Sequence, residues 1–429
     1  MAKTIEQLYA YLADEEDARV CTDISDDACR VVPGNFFRIL LAQVCTKLGD
    51  ALANTKTVLP WVMNSVGAPT FLSGLLVPVR ESGSLIPQLF LGGVIRRYPI
   101  RKWFFVLGCV LQAVAVLCMA AVAFGMTGWQ AGTAIIALLV LFSLARGFCS
   151  IASKDVLGKT IPKSRRGRLS GYSASVVGLM TIAVGMAVML NLREQSGYYW
   201  LLLAAGGLCW VVAAMVFSGT DEYKGATEGG GNALREAWKS LSLLKTDMYF
   251  RRFVLVRCLM MSSGLSAPYI ILLANQSDSS AMSGLGLFIV ASGVAGLISG
   301  SVWGKFADRS SRKVIILTAT LAFVICALTA TIAYLEQGNY WLYLSLFFLL
   351  AVTHEGVRLG RKTYVVDLAQ GNKRTDYVAV SNTFIGIMLL VVGLLGAAIA
   401  QVSLVYVLGV FALASASATC LGVALKEVQ

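Results

Sequence analysis

Apolar residues occur in long runs along this chain, and short polar segments separate the runs. A helical run of about 20 residues is long enough to cross the hydrocarbon core of a bilayer. The pattern predicts six such spans, then a polar interruption, then six more. The first six are residues 36–62, 70–95, 103–125, 131–153, 170–192 and 198–218. The second six are residues 253–274, 283–306, 314–334, 341–362, 377–401 and 403–425.

This pattern divides the chain into two six-helix bundles, residues 35–219 and 253–425. An acidic extension, residues 1–34, precedes the first bundle, and residues 426–429 form a short tail. The linker, residues 220–252, has an apolar stripe that includes Leu234, Trp238 and Leu241. We therefore expect an amphipathic linker helix on the membrane surface. The predicted fold class is an all-α polytopic membrane protein with twelve transmembrane helices.

Composition supports this class, because 57% of the residues are hydrophobic, 14% are charged and the mean hydropathy is +0.71. The net charge of +12 comes from basic clusters between the apolar runs, which is the pattern that the positive-inside rule produces. We therefore expect both termini in the cytoplasm, a bacterial inner membrane as the location, and no binding of nucleic acid. We expect a monomer in contact with the lipid bilayer.

Two loops share a pattern of glycine and basic residues and lie at equivalent places in the two halves. The first follows span 2 and the second follows span 8. The first copy is Gly93, Arg97, Arg101 and Lys102, and the second is Gly304, Asp308, Arg309, Arg312 and Lys313. These loops resemble the signature of the major facilitator superfamily, with Arg97 standing where the signature has an acid.

The resemblance implies two pseudo-symmetric bundles with a substrate site between them near mid-membrane, and alternating access. It also implies that the loops link neighbouring helices on the cytoplasmic side, where a charge cluster forms in one conformation and breaks in another. Gly296, Gly300 and Gly304 recur every four residues, so we expect span 8 to pack closely on a neighbour.

Charged residues lie inside several spans, where each costs about 2.5 to 3.5 kcal/mol at the bilayer centre. In span 1, Lys47, Asp50 and Asn54 share one helical face. One interpretation is that Lys47 and Asp50 form a structural ion pair. The other is that they line a transport cavity, together with charged residues of further spans.

We predict that six residues bind the substrate: Lys47, Asn54, Arg80, Arg146, Arg257 and Arg358. Six deeply placed cations, Lys56 among them, exceed three carboxylates, which favours an anionic solute. Alternatively, Arg80–Glu81 and Glu355–Arg358 are internal pairs and Arg257 belongs to the cytoplasmic boundary.

Proton coupling is the expected source of energy, since the sequence has no phosphate-binding loop for ATP. The predicted proton carriers are Asp50, Glu81, Glu355 and His354, the single histidine. The leading hypothesis is a secondary active transporter for a small anionic or zwitterionic solute, with no cofactor and no enzymatic activity. The alternatives are a flippase for lipids or amphiphiles, a drug exporter, and a non-transporting assembly or sensor protein on the same scaffold.

Overall fold

The structure is a computed structural model, and it describes residues 29–87, 91, 94–95, 97–191, 199–224, 243–277, 284–307, 309–368 and 373–428. Within these ranges the chain forms sixteen α-helices and no strand. The first seven are α1 (Val32–Leu52), α2 (Val58–Ser65), α3 (Thr70–Leu85), α4 (Lys102–Gly125), α5 (Gly128–Thr160), α6 (Lys163–Asn191) and α7 (Tyr199–Ser218). The next four are α8 (Leu243–Thr246), α9 (Met248–Leu259), α10 (Ser262–Leu265) and α11 (Ala267–Ser277). The last five are α12 (Gly284–Ala307), α13 (Ser311–Tyr334), α14 (Tyr340–Leu368), α15 (Lys373–Val402) and α16 (Leu404–Val423).

Ten stretches of the described chain are long and apolar enough to cross a membrane, and they coincide with the predicted spans 3 to 12. The remaining two spans correspond to α1 with α2, and to α3. Charges interrupt the apolar character of α1, and α3 is 16 residues long. The predicted acidic extension and most of the linker helix lie outside the described residues.

Span 1 is broken in two, so the prediction of one continuous helix over residues 36–62 was wrong. The first part, α1, ends at Leu52, and α2 begins at Val58. Between them the side chain of Asn54 accepts a hydrogen bond from the backbone N–H of Lys56 at 2.7 Å. A short polar side chain that bonds its own backbone in this way competes with the helical ladder. Pro60, early in α2, has no N–H to continue that ladder.

Span 7 is also broken, into α9, α10 and α11, and it begins at Met248 rather than at residue 253. Pro268 lies in the first turn of α11, the position where a missing N–H is tolerated. Just before it, the hydroxyls of Ser263 and Ser266 donate to the backbone oxygens of Met260 and Ser262. The two interruptions, residues 53–57 and residues 260–266, fall at equivalent places in the two bundles.

The bundles meet along α6 with α12 and along α3 with α15. Glycines allow the close approach of α6 and α12. A Cβ on Gly286 would lie 2.5 Å from Cγ of Met189 and 2.7 Å from the backbone oxygen of Gly185. Both contacts lie near the start of α12, which begins at Gly284.

The three glycines predicted to pack closely lie further along α12. A Cβ at Gly296, Gly300 or Gly304 would meet no heavy atom within 4 Å. The predicted close packing at these three glycines is therefore wrong. Helix α12 instead meets α6 at Gly286, at Gly293 and at Leu297, which lies against Gly178. Gly300 and Gly304, which have no such contact, lie towards the loops that carry the basic residues, and we call this end of the molecule the basic end.

Aromatic residues close the opposite end. Trp61 of α2 packs against Phe288 and Tyr199, with ring centroids 6.5 Å and 6.2 Å away. The hydroxyl of Tyr340 donates to the backbone oxygen of Gly284 at 2.8 Å. Trp61, Phe288 and Tyr340 are buried. Aromatic packing therefore closes the space between the bundles at this end, which we call the sealed end.

Replacing Gly286 by alanine should lower the melting temperature of the purified protein, because overpacking of a close contact costs about 1 to 3 kcal/mol. Gly300→Ala is the matched control on the same helix, and it should leave the melting temperature unchanged or raise it, since alanine is the better helix former. Equal destabilisation by the two substitutions would contradict the packing described here.

Candidate functional site

Nine charged or titratable side chains gather between the bundles. They come from helices α1, α3, α5 and α14, and from the segment that joins α1 to α2. We call them the central charge cluster: Asp50, Lys56, Arg80, Glu81, Arg146, His354, Glu355, Arg358 and Arg361. Seven of the nine were predicted as site residues from the sequence, and Lys56 was counted among the deeply placed cations. The ninth, Arg361, follows Arg358 by one helical turn.

Asp50 joins three helices of the first bundle. Its Oδ1 accepts a hydrogen bond from Nη2 of Arg80 at 2.7 Å, and its Oδ2 accepts one from Nη1 of Arg146. The guanidinium of Arg80 also lies 4.7 Å from the ring centroid of Phe142, a cation–π distance. The structure thus pairs Asp50 with Arg80 and Arg146, and not with Lys47 as one alternative had it.

Glu81 faces several cations without a direct ion pair. It interacts electrostatically with Lys56, Arg80, Arg146 and Arg358. Among the described residues, its carboxylate has no basic partner within 4.0 Å. The proposed internal pair of Arg80 with Glu81 is therefore replaced by the pair of Arg80 with Asp50. Glu81 is the carboxylate of the cluster that a new partner can reach without breaking an ion pair.

His354 connects the two bundles. Nζ of Lys56, between α1 and α2, lies 2.7 Å from Nε2 of His354 on α14. Nδ1 of the same ring lies 3.0 Å from the hydroxyl of Ser263 on α10. Gly264 leaves room for the imidazole, because a Cβ there would lie 2.8 Å from Cε1 of His354.

On α14, Arg358 donates to the carboxylate of Glu355 at 2.8 Å, as one alternative predicted. Both side chains of the pair are partly exposed. Arg361 interacts electrostatically with Glu355, with Arg358 and, across the bundles, with Glu81. The second bundle therefore contributes two cations and one carboxylate to the cluster.

Lys47 and Arg257 are cations with neutral partners. Nζ of Lys47 donates to the hydroxyl of Ser173 on α6 at 2.6 Å. Nη1 and Nη2 of Arg257 donate to Ser381 at 2.7 Å and to Asn382 at 2.8 Å, both on α15. Arg257 is 9% exposed, so it lies inside the second bundle and not at an exposed boundary. Its Nε is buried without a hydrogen-bond partner in the described chain.

Asn54 is the remaining residue predicted to bind substrate. Its side-chain oxygen already accepts the hydrogen bond from the backbone N–H of Lys56. Its side chain shapes the interruption of span 1 and leaves its amide nitrogen for other contacts. The structure therefore places all six predicted substrate-binding residues within the spans. It brings Arg80, Arg146 and Arg358 together in the cluster, and it holds Lys47 and Arg257 on neutral partners.

A second charge network lies at the basic end of the first bundle. Glu222 follows α7, and its carboxylate is fully buried. It accepts hydrogen bonds from the backbone N–H groups of Arg101 and Lys102 at the start of α4, and from Nζ of Lys159 at 3.0 Å. Asp155 on α5 pairs with both Arg101 and Lys159. Glu222 and Asp155 thus supply negative charge to the loop in which Arg97, an exposed residue, replaces the acid.

The second bundle has a counterpart at the same end. Glu427, after α16, accepts a hydrogen bond from Ser310 at 2.8 Å, and Ser310 caps the start of α13. Arg312 donates to the backbone oxygen of Val423 at 2.6 Å and approaches Glu427 at 3.5 Å. Of the remaining predicted loop residues, Arg309, Lys313 and Gly304 are described, while Gly93 and Asp308 lie outside the described residues.

The basic end also holds the start of α9. Asp247 caps this helix by accepting the backbone N–H of Phe250 at 3.0 Å. Its other carboxylate oxygen accepts the hydroxyl proton of Tyr377 at the start of α15. The bond to Asp247 therefore joins the start of α9 to the start of α15.

Twelve predicted spans in two bundles, with a central charge cluster and a charged loop in each half, define a membrane transport protein. The sequence model of the Major Facilitator Superfamily matches residues 39–300 and 252–427. The chain therefore belongs to this superfamily. An uncharacterized protein of Mycobacterium tuberculosis strain H37Rv is 24% identical over 378 residues, which is 86% of this chain and 72% of that protein.

Solved structures share the fold. A D-xylose–proton symporter superposes with a TM-score of 0.71 at 13% identity, covering 92% of this chain and 98% of that one. A nucleoside transporter superposes with a TM-score of 0.70 at 11% identity, covering 91% and 99%. The xylose transporter of E. coli in an inward-open conformation gives 0.68 at 12% identity, covering 93% and 97%.

Asp50→Asn should lower the melting temperature, because two guanidinium groups lose the anion they share. Removing one partner of a buried pair costs about 3 to 5 kcal/mol, and we expect the lower end because Arg146 is 37% exposed. The double variant Asp50→Asn with Arg146→Gln is the control, and it should recover part of the loss. If the losses simply add, the pair of Asp50 with Arg146 carries no coupling and the assignment fails.

Glu222→Gln should also lower the melting temperature, because a buried carboxylate with charge-assisted hydrogen bonds becomes a neutral amide. The expected loss is about 1.5 to 3 kcal/mol. The control is Tyr223→Phe, which changes the neighbouring, exposed residue and should have no effect. An unchanged melting temperature for Glu222→Gln would show that the buried network does not stabilise this conformation.

Proposed function

We propose that this chain is a proton-coupled secondary active transporter for a small anionic solute. The two bundles alternate between a conformation open at the basic end and one open at the opposite end. The solute binds at the central charge cluster, between the bundles. Membership of the Major Facilitator Superfamily supports membrane transport as the general activity. The solute class and the proton coupling rest on the arrangement of charge.

The observation that carries the proposal is the excess of cations in and beside the cluster. Its three carboxylates face five cations from Lys and Arg, and Lys47 and Arg257 form their hydrogen bonds with neutral side chains of the described chain. Burying an unpaired charge is costly, so a bound anion stabilises such a site. Guanidinium groups bind carboxylate and phosphate through two parallel hydrogen bonds, which suits Arg146 and Arg358.

Both bundles contribute cations, which allows one anion to couple their movement. Lys47, Arg80 and Arg146 belong to the first bundle, and Arg257 and Arg358 belong to the second. An anion that binds groups from both favours the conformation in which they approach each other. A ligand shifts such an equilibrium only as far as it prefers one conformation over the other.

The proposed proton carriers are Asp50, Glu81, Glu355 and His354. Asp50 and Glu355 form ion pairs, whereas Glu81 has no basic partner within 4.0 Å among the described residues. Glu81 is therefore the carboxylate best placed to take a proton in this conformation. Neutralising it would increase the positive charge of the cluster and so favour binding of the anion, which couples the two events.

The same carboxylate supports a second candidate, a zwitterionic solute. An amino group of the solute would pair with Glu81 while its carboxylate binds Arg146 or Arg358. Under the positive-inside rule the basic end faces the cytoplasm, with both termini on that side of a bacterial inner membrane. The sealed end would then face away from the cytoplasm.

A stability screen tests the solute class. The purified protein is heated with separate panels of carboxylates, phosphates, zwitterions, amines and lipids. A solute present at about 100 times its Kd stabilises the native state by about 2.7 kcal/mol. We expect stabilisation by an anionic or zwitterionic solute, and we expect Lys47→Gln or Arg358→Gln to weaken it at least tenfold.

Lys245→Gln, which removes an exposed lysine of α8, is the matched control and should bind as the unsubstituted protein does. Stabilisation by amines or lipids alone would contradict the anionic site and favour a drug exporter or a flippase. Stabilisation that survives in both cluster variants would place the site elsewhere.

A further inference from the structure

One imidazole ring joins the interruptions of spans 1 and 7. Lys56 lies in the interruption between α1 and α2, and Ser263 lies in α10, within the interruption of span 7. His354 bonds both, through its two ring nitrogens, at 2.7 Å and 3.0 Å. Broken helices are the places where a span can bend, because their backbone ladder is already open. A contact that ties the two breaks together therefore holds the bundles in one relative position.

The hydrogen bonds of this network have one possible direction. An ammonium group has three donors and no acceptor, so Nε2 of His354 must accept from Lys56. Nδ1 then carries the ring proton and donates to Ser263, whose hydroxyl donates onward to the backbone oxygen of Met260 at 2.9 Å. Both ring nitrogens and the Ser263 hydroxyl are thus hydrogen-bonded, which favours a stable buried network.

A second proton on His354 is incompatible with this network. It would bind Nε2, where it would meet the ammonium of Lys56 at a distance of 2.7 Å. Like charges so close repel, and neither nitrogen of an imidazolium can accept a hydrogen bond. Protonation of His354 must therefore release Lys56.

The surroundings provide another partner for Lys56. His354 is faced by three cations, which are Lys56, Arg358 and Arg361. Lys56 in turn interacts with Glu81 on α3 and with Glu355 on α14. Glu81 lies in the same bundle as Lys56 and has no basic partner within 4.0 Å among the described residues. A released Lys56 can pair with Glu81 without disturbing the pair of Glu355 with Arg358.

We propose that Lys56, His354 and Ser263 form a latch between the bundles that one proton opens. With neutral His354 the latch is closed and the protein is sealed at the Trp61 end. A proton that enters Nε2 from solution breaks the bond to Lys56, Lys56 pairs with Glu81, and the bundles close at the basic end. The proton leaves His354 to solution when Lys56 returns. This latch rests on the proton coupling proposed above and assigns its opening step to His354.

The test measures the distance between the bundles as a function of pH and needs no solute. Spin labels are introduced as genetically encoded residues at Ser170 on α6 and Phe306 on α12, both exposed at the basic end. The protein is reconstituted in nanodiscs, and the distance is measured by pulsed electron paramagnetic resonance from about pH 8 to about pH 4. The range extends well below the ordinary pKa of histidine, because the three facing cations oppose protonation of the ring. We expect the distance to shorten as the pH falls.

Two variants separate the latch from a pH response carried by a carboxylate. The amide of His354→Gln can accept from Lys56 and donate to Ser263 but cannot take a proton, so the long distance should persist at all pH values. Lys56→Met lacks the donor, so the short distance should already be populated at pH 8. A pH response in His354→Gln equal to that of the unsubstituted protein would overturn the latch, as would a Lys56→Met variant that keeps the long distance.

The distance measurements distinguish a wrong latch from an absence of proton coupling. If the distance shortens equally in the unsubstituted protein and in His354→Gln, a carboxylate carries the response and coupling survives without the latch. If no protein responds to pH, the latch is contradicted, whereas proton coupling through anion binding at Glu81 is tested separately by solute uptake under a pH gradient. Should His354→Gln not fold, Ser263→Ala replaces it, with Ser262→Ala as control, because Ser262 bonds Ser415 and not His354. Ser263→Ala should then favour the short distance, and identical behaviour of the two serine variants would overturn the latch.

Discussion

An excess of buried positive charge is the constraint on which this structure depends. A cation inside a bilayer is tolerated only where it has a partner or access to water. Asp50 satisfies two arginines at once, His354 accepts from Lys56, and Lys47 and Arg257 use hydroxyl and amide oxygens. These bonds fix helices of different spans relative to one another, so the arrangement of the bundles and the charge of the site have one physical origin.

The two ends of the molecule use different forces. At the sealed end, aromatic rings and glycine-mediated contacts bring α6 and α12 together, and the interactions are apolar. At the basic end, buried carboxylates such as Glu222 hold helix starts through charge-assisted hydrogen bonds. Packed apolar surfaces and charge networks respond differently to a proton or an anion. A change of charge at the centre can therefore shift the balance between the ends, which is what alternating access requires.

The sequence predicted the membrane class, the spans and the superfamily, because hydrophobic runs and loop charges follow directly from the bilayer. It did not predict which charges pair. Whether Asp50 meets Lys47 or Arg146 depends on how α1, α3 and α5 are rotated, and that rotation is set by contacts across the bundle. The interruption at Asn54 is a local effect that length and hydropathy do not register. Glu222 lies outside every span, and only the fold brings it to Lys102.

The most direct test of the central claim is uptake from a defined mixture by the reconstituted protein. Vesicles with an imposed pH gradient are incubated with carboxylates, phosphates, zwitterions, sugars and amines, and their contents are measured by mass spectrometry. The account predicts a gradient-dependent change in an anionic or zwitterionic solute, absent in vesicles without the protein and lost when the gradient is collapsed. Gradient-driven movement of neutral or cationic solutes alone would contradict it.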